Sequence, residues 1–169
     1  MPSEGWVKVN TDGASRGNPG KSSIGVCVRN QEGDVIYALG KEINEATNTE
    51  AKALAFLEAL KIGNEHNYNN VWLQTDSMPI KKFVEELWKT PWCIVKYMEE
   101  IWQLMGRGNY RVSHIYREGD KQAYYLANYA IDIGDIEFHG FRQLDSKGRK
   151  IVNQDKLQCP YLRVKVARN

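Results

Sequence analysis

Two aspartates close two short runs of strand character, VKVNTD ending at Asp12 and VWLQTD ending at Asp76. In the first run Val7 and Val9 alternate with polar residues, the period-two pattern of a strand with one buried face. Asp12 leads into GASRGNPG, where Gly13, Gly17, Asn18, Pro19 and Gly20 make a tight loop whose bare amides can approach a ligand closely. A carboxylate at a strand end beside such a loop suits a metal ion or a phosphate. Asp-Gly and Asn-Pro-Gly are equally ordinary turn signals, so neither motif alone assigns a site.

The elements that must hold these groups follow in order. Ser22 to Arg29 and Val35 to Ile43 predict a hairpin, with Gln31-Glu32-Gly33-Asp34 as its turn. Thr49 to Gly63 predicts a helix, capped by Asn48 or Thr47 and stopped at Gly63, with Ala53, Leu54, Leu57 and Leu60 on a buried face. After the strand that ends at Asp76, Ser77 can cap a second helix with Pro79 in its first turn. Phe83, Leu87 and Trp88 continue that helix until Pro91 breaks it. Ile94, Met98, Ile101 and Leu104 then recur at the spacing of an amphipathic helix that runs to Gly106. Trp88, Trp92 and Trp102 read as core and helix-contact residues, Trp92 being the one best placed for exposure. Tyr110 to Ile115 is the last strand, REGDK a loop, and Gln122 to Ile133 the final helix. The order β-β-β-α-β-α-α-β-α implies antiparallel pairing first and parallel pairing later.

Composition narrows the class. A chain of 169 residues, 42% hydrophobic and 26% charged, can bury one ordinary core. Cys27, Cys93 and Cys159 are odd in number and far apart, which offers neither a disulfide framework nor metal-ligand spacing and predicts a reducing, intracellular setting in cytoplasm or nucleus. No signal-like segment or spanning apolar run is present, so no membrane association is expected. Residues 142–169 hold 8 Lys/Arg against 2 Asp/Glu, a net +6, and the remainder carries −4. The tail is basic and the body mildly acidic.

The motifs NTDGASRGNPG, TNTEAKALAFLEAL, LQTDS and HIYREGDKQAYYLAN, in this order and spacing, resemble the ribonuclease H fold, specifically the ribonuclease H-like domains of plant retroelement origin. The resemblance covers about residues 5–133, and LDSKGRKIVNQDKLQCPYLRVK resembles the extension of plant members. It implies an α/β fold with a five-stranded mixed sheet, order 3-2-1-4-5, flanked by helices. Residues 1–134 would form the domain and 135–169 a basic C-terminal extension. It further implies four carboxylates that bind two Mg2+ ions and cut the RNA strand of an RNA-DNA hybrid.

Two-metal hydrolysis requires hard oxygen ligands around both ions. Carried over position by position, Asp12 and Asp76 are retained, whereas Lys52 and Tyr124 replace the other two carboxylates: Lys52 precedes the A-L-A-x-L-E-A-L pattern, and Tyr124 stands in the family's A-D-x-L-A pattern. Glu50 cannot stand in for position 52, since two residues along a helix is a rotation of about 200 degrees. Asp12, Asp76 and Lys52 together carry about −1 where an intact quartet carries about −4, a poor attractor for two divalent ions. Lys52 can instead pair with both aspartates. Among the histidines, His114 reads as structural, and His66 and His139 lack a partner at metal-ligand spacing.

Contacts to nucleic acid survive this change better than catalysis does. The resemblance puts Gly13, Ala14, Ser15, Arg16, Gly17, Asn18 and Asn48 against a minor groove, where amides read 2′-hydroxyls, and Thr49 and Ser77 are further candidates for nucleic-acid contact. No basic protrusion appears between Trp88 and Arg107, so the tail supplies most of the positive charge. The expected function is binding of RNA-DNA hybrid or duplex RNA without cleavage. The alternatives are a weakly active metal-dependent hybrid endoribonuclease and a pseudonuclease serving as a protein-interaction module. No cofactor is expected, with Mg2+ or Mn2+ serving any activity that remains, and the chain is expected to be a monomer.

Overall fold

A computed structural model describes residues 5–139. Three strands open the chain: β1 (Trp6–Arg16), β2 (Gly20–Arg29) and β3 (Val35–Ala46). Helix α1 (Asn48–Glu65), strand β4 (Asn70–Thr75), helices α2 (Met78–Val84) and α3 (Val95–Met105), strand β5 (Asn109–His114), helix α4 (Lys121–Asp132) and strand β6 (Ile136–Phe138) follow. The sheet has six strands in the order β5-β4-β1-β2-β3-β6. β1, β2, β3 and β6 pair antiparallel in sequence of position, while β4 pairs parallel to β1 and β5 parallel to β4.

The expected five-stranded order is therefore present but incomplete. β6 adds to the outer edge of β3 through Ala38 to Gly40, and a three-residue strand is too short to carry a readable alternation. It lies past residue 134, and the basic extension beyond residue 139 lies outside the described residues.

Local rules account for α1. Thr47 is the N-cap: its side chain accepts from Glu50 N, and the Glu50 carboxylate accepts from Thr47 N at 3.2 Å, a reciprocal capping box. This settles the start on Thr47 rather than Asn48 and turns Glu50 toward the cap. Phe56, Leu60, Val9, Leu73, Met98 and Ile101 are fully closed to solvent where α1 packs between the sheet and α3. Each such side chain stabilises the fold by about 1.5–3 kcal/mol. α4 covers the other face of the sheet over β1, β2 and β3.

α2 ends earlier than its apolar pattern suggests. Glu86 takes a positive φ of 59° just after the helix, so Leu87 and Trp88 leave the helical face. Trp88 is 49% exposed instead of core, Trp92 is 90% exposed, and Trp102 is half-buried with its Nε1 donating to Val84 O.

Candidate active site

A close approach between α1 and β1 builds the site. A Cβ on Gly13 would overlap backbone atoms of Ala51 and Lys52, so glycine is required where the helix crosses the strand. That contact brings Lys52 over the ends of β1 and β4. Its Nζ lies 2.9 Å from Asp76 Oδ1 and 3.6 Å from Asp12 Oδ1. Both carboxylates are nearly closed to solvent, at 3% side-chain exposure for Asp12 and 4% for Asp76. Arg117, an exposed side chain, places Nε 3.6 Å from Asp76 Oδ2.

A third carboxylate joins them from the REGDK segment, where a short helical turn over Arg117–Gly119 leads into Asp120. Asp120, fully buried, stands at the N-cap position of α4 but makes no capping bond with its side chain. Asn10 Nδ2 instead donates to Asp120 Oδ1 at 3.1 Å and to Gln74 Oε1 at 3.3 Å. Carboxylate oxygens of Asp12, Asp76 and Asp120 lie within 4.8 Å of one another, and no other group of three metal-capable side chains occurs among the described residues. Asp120 Oδ2 and Asn10 Oδ1 are buried with no hydrogen-bond partner. The signal that could have found Asp120 is its kinship with Asp12 and Asp76, an aspartate at the boundary of a regular element. Its resemblance to an ordinary N-cap conceals it.

Burial decides the protonation of this cluster. The Asp12 carboxyl is pushed up to about 6, first by desolvation and then by the charge on Asp76, against the opposing pull of Lys52 and the Gly13 amide. Asp120 is held well above the usual carboxylate range by burial, then by Asp12 and Asp76. One ammonium and one exposed guanidinium do not compensate three buried carboxylates, so Asp12 and Asp120 hold their protons to higher pH than ordinary carboxylates.

Three clustered carboxylates are consistent with an active site. The Lys52 ammonium, however, lies within 3.6 Å of both Asp12 and Asp76 and already sets a positive charge beside the two carboxylates that would hold a cation. The residues as they stand do not fit the pair of divalent ions implied by the resemblance.

Tyr124, which the sequence resemblance assigns to a carboxylate position, stands on α4 and is 46% exposed, with its N donating to Asp120 O at 3.1 Å. The carboxylate that joins the cluster thus comes from one turn earlier. His114 Nε2 lies 3.1 Å from Asp76 O and steadies the strand end. His66 and His139 meet Tyr37 at the opposite edge of the sheet.

The residues named for nucleic-acid contact separate into two groups. Asn48 accepts from Ser15 N at 3.1 Å and its own N donates to Asn18 Oδ1 at 2.9 Å, which ties the loop to the start of α1. Arg16 pairs with Asp132 of α4 and reaches Asn128. Arg16, Gly17, Asn18, Asn48 and Thr49 are exposed and form a polar rim beside the cluster, with Ala14 and Ser15 partly covered. Gly13 is buried, and its amide donates to Asp12 Oδ1 at 2.8 Å, so its part is packing. Ser77 Oγ accepts from Ile80 N and serves as the cap of α2.

The family model described as reverse transcriptase-like matches residues 10–130. A putative ribonuclease H protein of Arabidopsis thaliana is 30% identical over 163 residues, which covers 92% of this chain and 25% of that protein. A ribonuclease HI of Halobacterium salinarum is 31% identical over 76% of this chain and 65% of its own length. The crystal structure of ribonuclease H1 from that archaeon has a TM-score of 0.73 at 28% identity, covering 75% of this chain and 98% of that one. LC11 ribonuclease H1, solved in complex with an RNA/DNA hybrid, has a TM-score of 0.71 at 27% identity over 75% of this chain and 96% of its own. This chain spans a quarter of the length of the Arabidopsis relative and about two thirds of the curated halobacterial one.

Proposed function

The chain belongs to the reverse transcriptase-like family of ribonuclease H-like domains, and from that premise we propose that it binds RNA-DNA hybrid without cutting it. The observation that carries this reading is the Lys52 ammonium, 2.9 Å from Asp76 and 3.6 Å from Asp12, which supplies from within the protein the positive charge that hydrolysis would draw from metal. Hybrid recognition is supported by the bound hybrid of the LC11 relative and by the polar rim formed by Ser15, Asn18 and Asn48. Tyr116, 80% exposed just past the end of β5 that lies beside Thr75, adds a surface on which a base or sugar can stack. The Arabidopsis relative supports kinship with a plant ribonuclease H-like protein.

Each residue then has a role toward the ligand. Asn48 and Asn18 present amides to 2′-hydroxyls, the glycine-rich turn lets the sugar-phosphate backbone approach, and Lys52 keeps the carboxylates from repelling it. A second reading, a weakly active endoribonuclease, is favoured by Asp120, which returns the carboxylate count to three. Electrophoretic retention of an end-labelled hybrid, followed in the same sample by a denaturing gel in Mg2+ and Mn2+, separates the two. Retention of an intact strand supports the proposal, and cleavage removed by Asp12→Asn supports the second reading.

A further inference from the structure

On the face of the sheet shared with Asp12, two same-face positions lower along β1, lies a set of cations that forms no salt bridge with the acidic cluster. Registered pairing aligns Arg29 on β2 with Lys8 on β1, Lys8 with Trp72 on β4, and Trp72 with Arg111 on β5. Registered partners on adjacent strands project to the same face, so the four side chains share it. Lys8 Nζ sits 5.8 Å above the Trp72 ring and the Arg111 guanidinium 4.8 Å above the Trp6 ring. None of the three cations forms a salt bridge among the described residues.

Arg29 is the anomaly. It is 7% exposed, and its Nε and Nη2 are buried with no hydrogen-bond partner. These two donors make up one edge of the guanidinium fork, the edge whose parallel N–H bonds match two oxygens of a carboxylate or phosphate. Folded proteins rarely leave a buried charge unpaired, and an ion is one of the ordinary explanations when they do. The adjacent Lys8 is held below its usual range by burial and then by Arg29, with Asp120 and Cys27 acting the other way.

We propose that Arg29 and Lys8, flanked by Arg111, form a phosphate-binding site on this face, separate from the carboxylate cluster. Two adjacent cations, one of them offering a two-donor edge, suit the paired oxygens of a tetrahedral phosphate group, free or within a diester. The chain's own tail is a poor occupant because residues 142–169 carry +6, the same sign as the site. Lys8 is four residues from Asp12 along β1, a separation of about 13 Å. The ligand could be free phosphate or a phosphodiester of a strand, and the inference does not depend on whether the acidic cluster binds hybrid or metal.

The test is thermal melting of the full chain at constant ionic strength, titrated with inorganic phosphate in one arm and with single-stranded oligothymidylate in the other. A saturable rise is expected for at least one ligand, because binding to the native state alone raises the melting temperature. The arm that saturates at lower concentration identifies the source. Arg29→Met should melt at or above the wild type without ligand, since it removes an uncompensated buried charge. It should also weaken binding about tenfold or more. Lys8→Gln, at a less buried position, should weaken binding in the same direction and serves if Arg29→Met does not fold. A wild type that responds to neither ligand beyond a chloride control, or variants that keep the full response, would overturn the site and leave the basic tail as the carrier of any effect.

Discussion

Lys52 Nζ and Asp76 Oδ1 are 2.9 Å apart in a setting where the aspartate is 4% and the lysine 18% exposed by side chain. At that distance and burial the pair is a charge-assisted hydrogen bond rather than a surface ion pair, and its loss strands a buried carboxylate. Lys52→Met should therefore destabilise the fold by about 3 kcal/mol at pH 7. The loss should shrink at pH 5, where the carboxylates freed of the ammonium can take up protons. Urea denaturation at the two pH values checks this, and a loss that does not change with pH would mean the lysine acts through packing alone.

Asp12 makes stability depend on pH in the direction opposite to that of a salt-bridged carboxylate. Its folded-state value of about 6 lies above the 3.8 of the unfolded chain, so the native state binds more protons between those values and stability falls as pH rises through that window. The shift corresponds to about 3 kcal/mol, fully present below pH 4 and lost above pH 7. Because other carboxylates titrate as well, the quantity to measure is the difference in unfolding free energy between wild type and Asp12→Asn across pH 4 to 8. That difference should move against the wild type as pH rises.

Asp120→Asn tests the third carboxylate. An amide can still accept from Asn10 Nδ2, but it cannot ionise. Since burial and its two acidic neighbours raise Asp120 well above its usual range, the substitution should become steadily more favourable relative to wild type as pH rises from 5 to 8. Equal effects at both values would show that the carboxylate stays charged and has a partner.

The parts of this site legible in the sequence are those set by local pattern. Asp12 and Asp76 announce themselves at strand ends, and position 52 follows from the helix motif that surrounds it. The first five strands are readable for the same reason, each being a run long enough to show its period, whereas their order in the sheet comes only from the resemblance to the ribonuclease H fold. Asp120 and Arg29 are not legible in this way. What distinguishes them is burial without a full set of partners, produced by the docking of α4 on Gly25 and by the registration of β2 with β1, and no local spacing encodes it. Trp88 misleads for a related reason: its spacing continues α2, but the turn at Glu86 carries it to the surface.

The claim at the centre is that Lys52 holds the charge balance that metal would otherwise supply. Single-turnover incubation of a labelled RNA-DNA hybrid with wild type, Lys52→Glu and Lys52→Glu/Tyr124→Asp, in Mg2+ and in Mn2+, tests it most directly. Wild type should retain the hybrid and leave the RNA intact. Lys52→Glu should already cut detectably, because Asp120 supplies a third carboxylate beside Asp12 and Asp76, and the double variant should cut no less. Cleavage by wild type above the Asp12→Asn background, or folded variants that bind hybrid and never cut, would contradict the account.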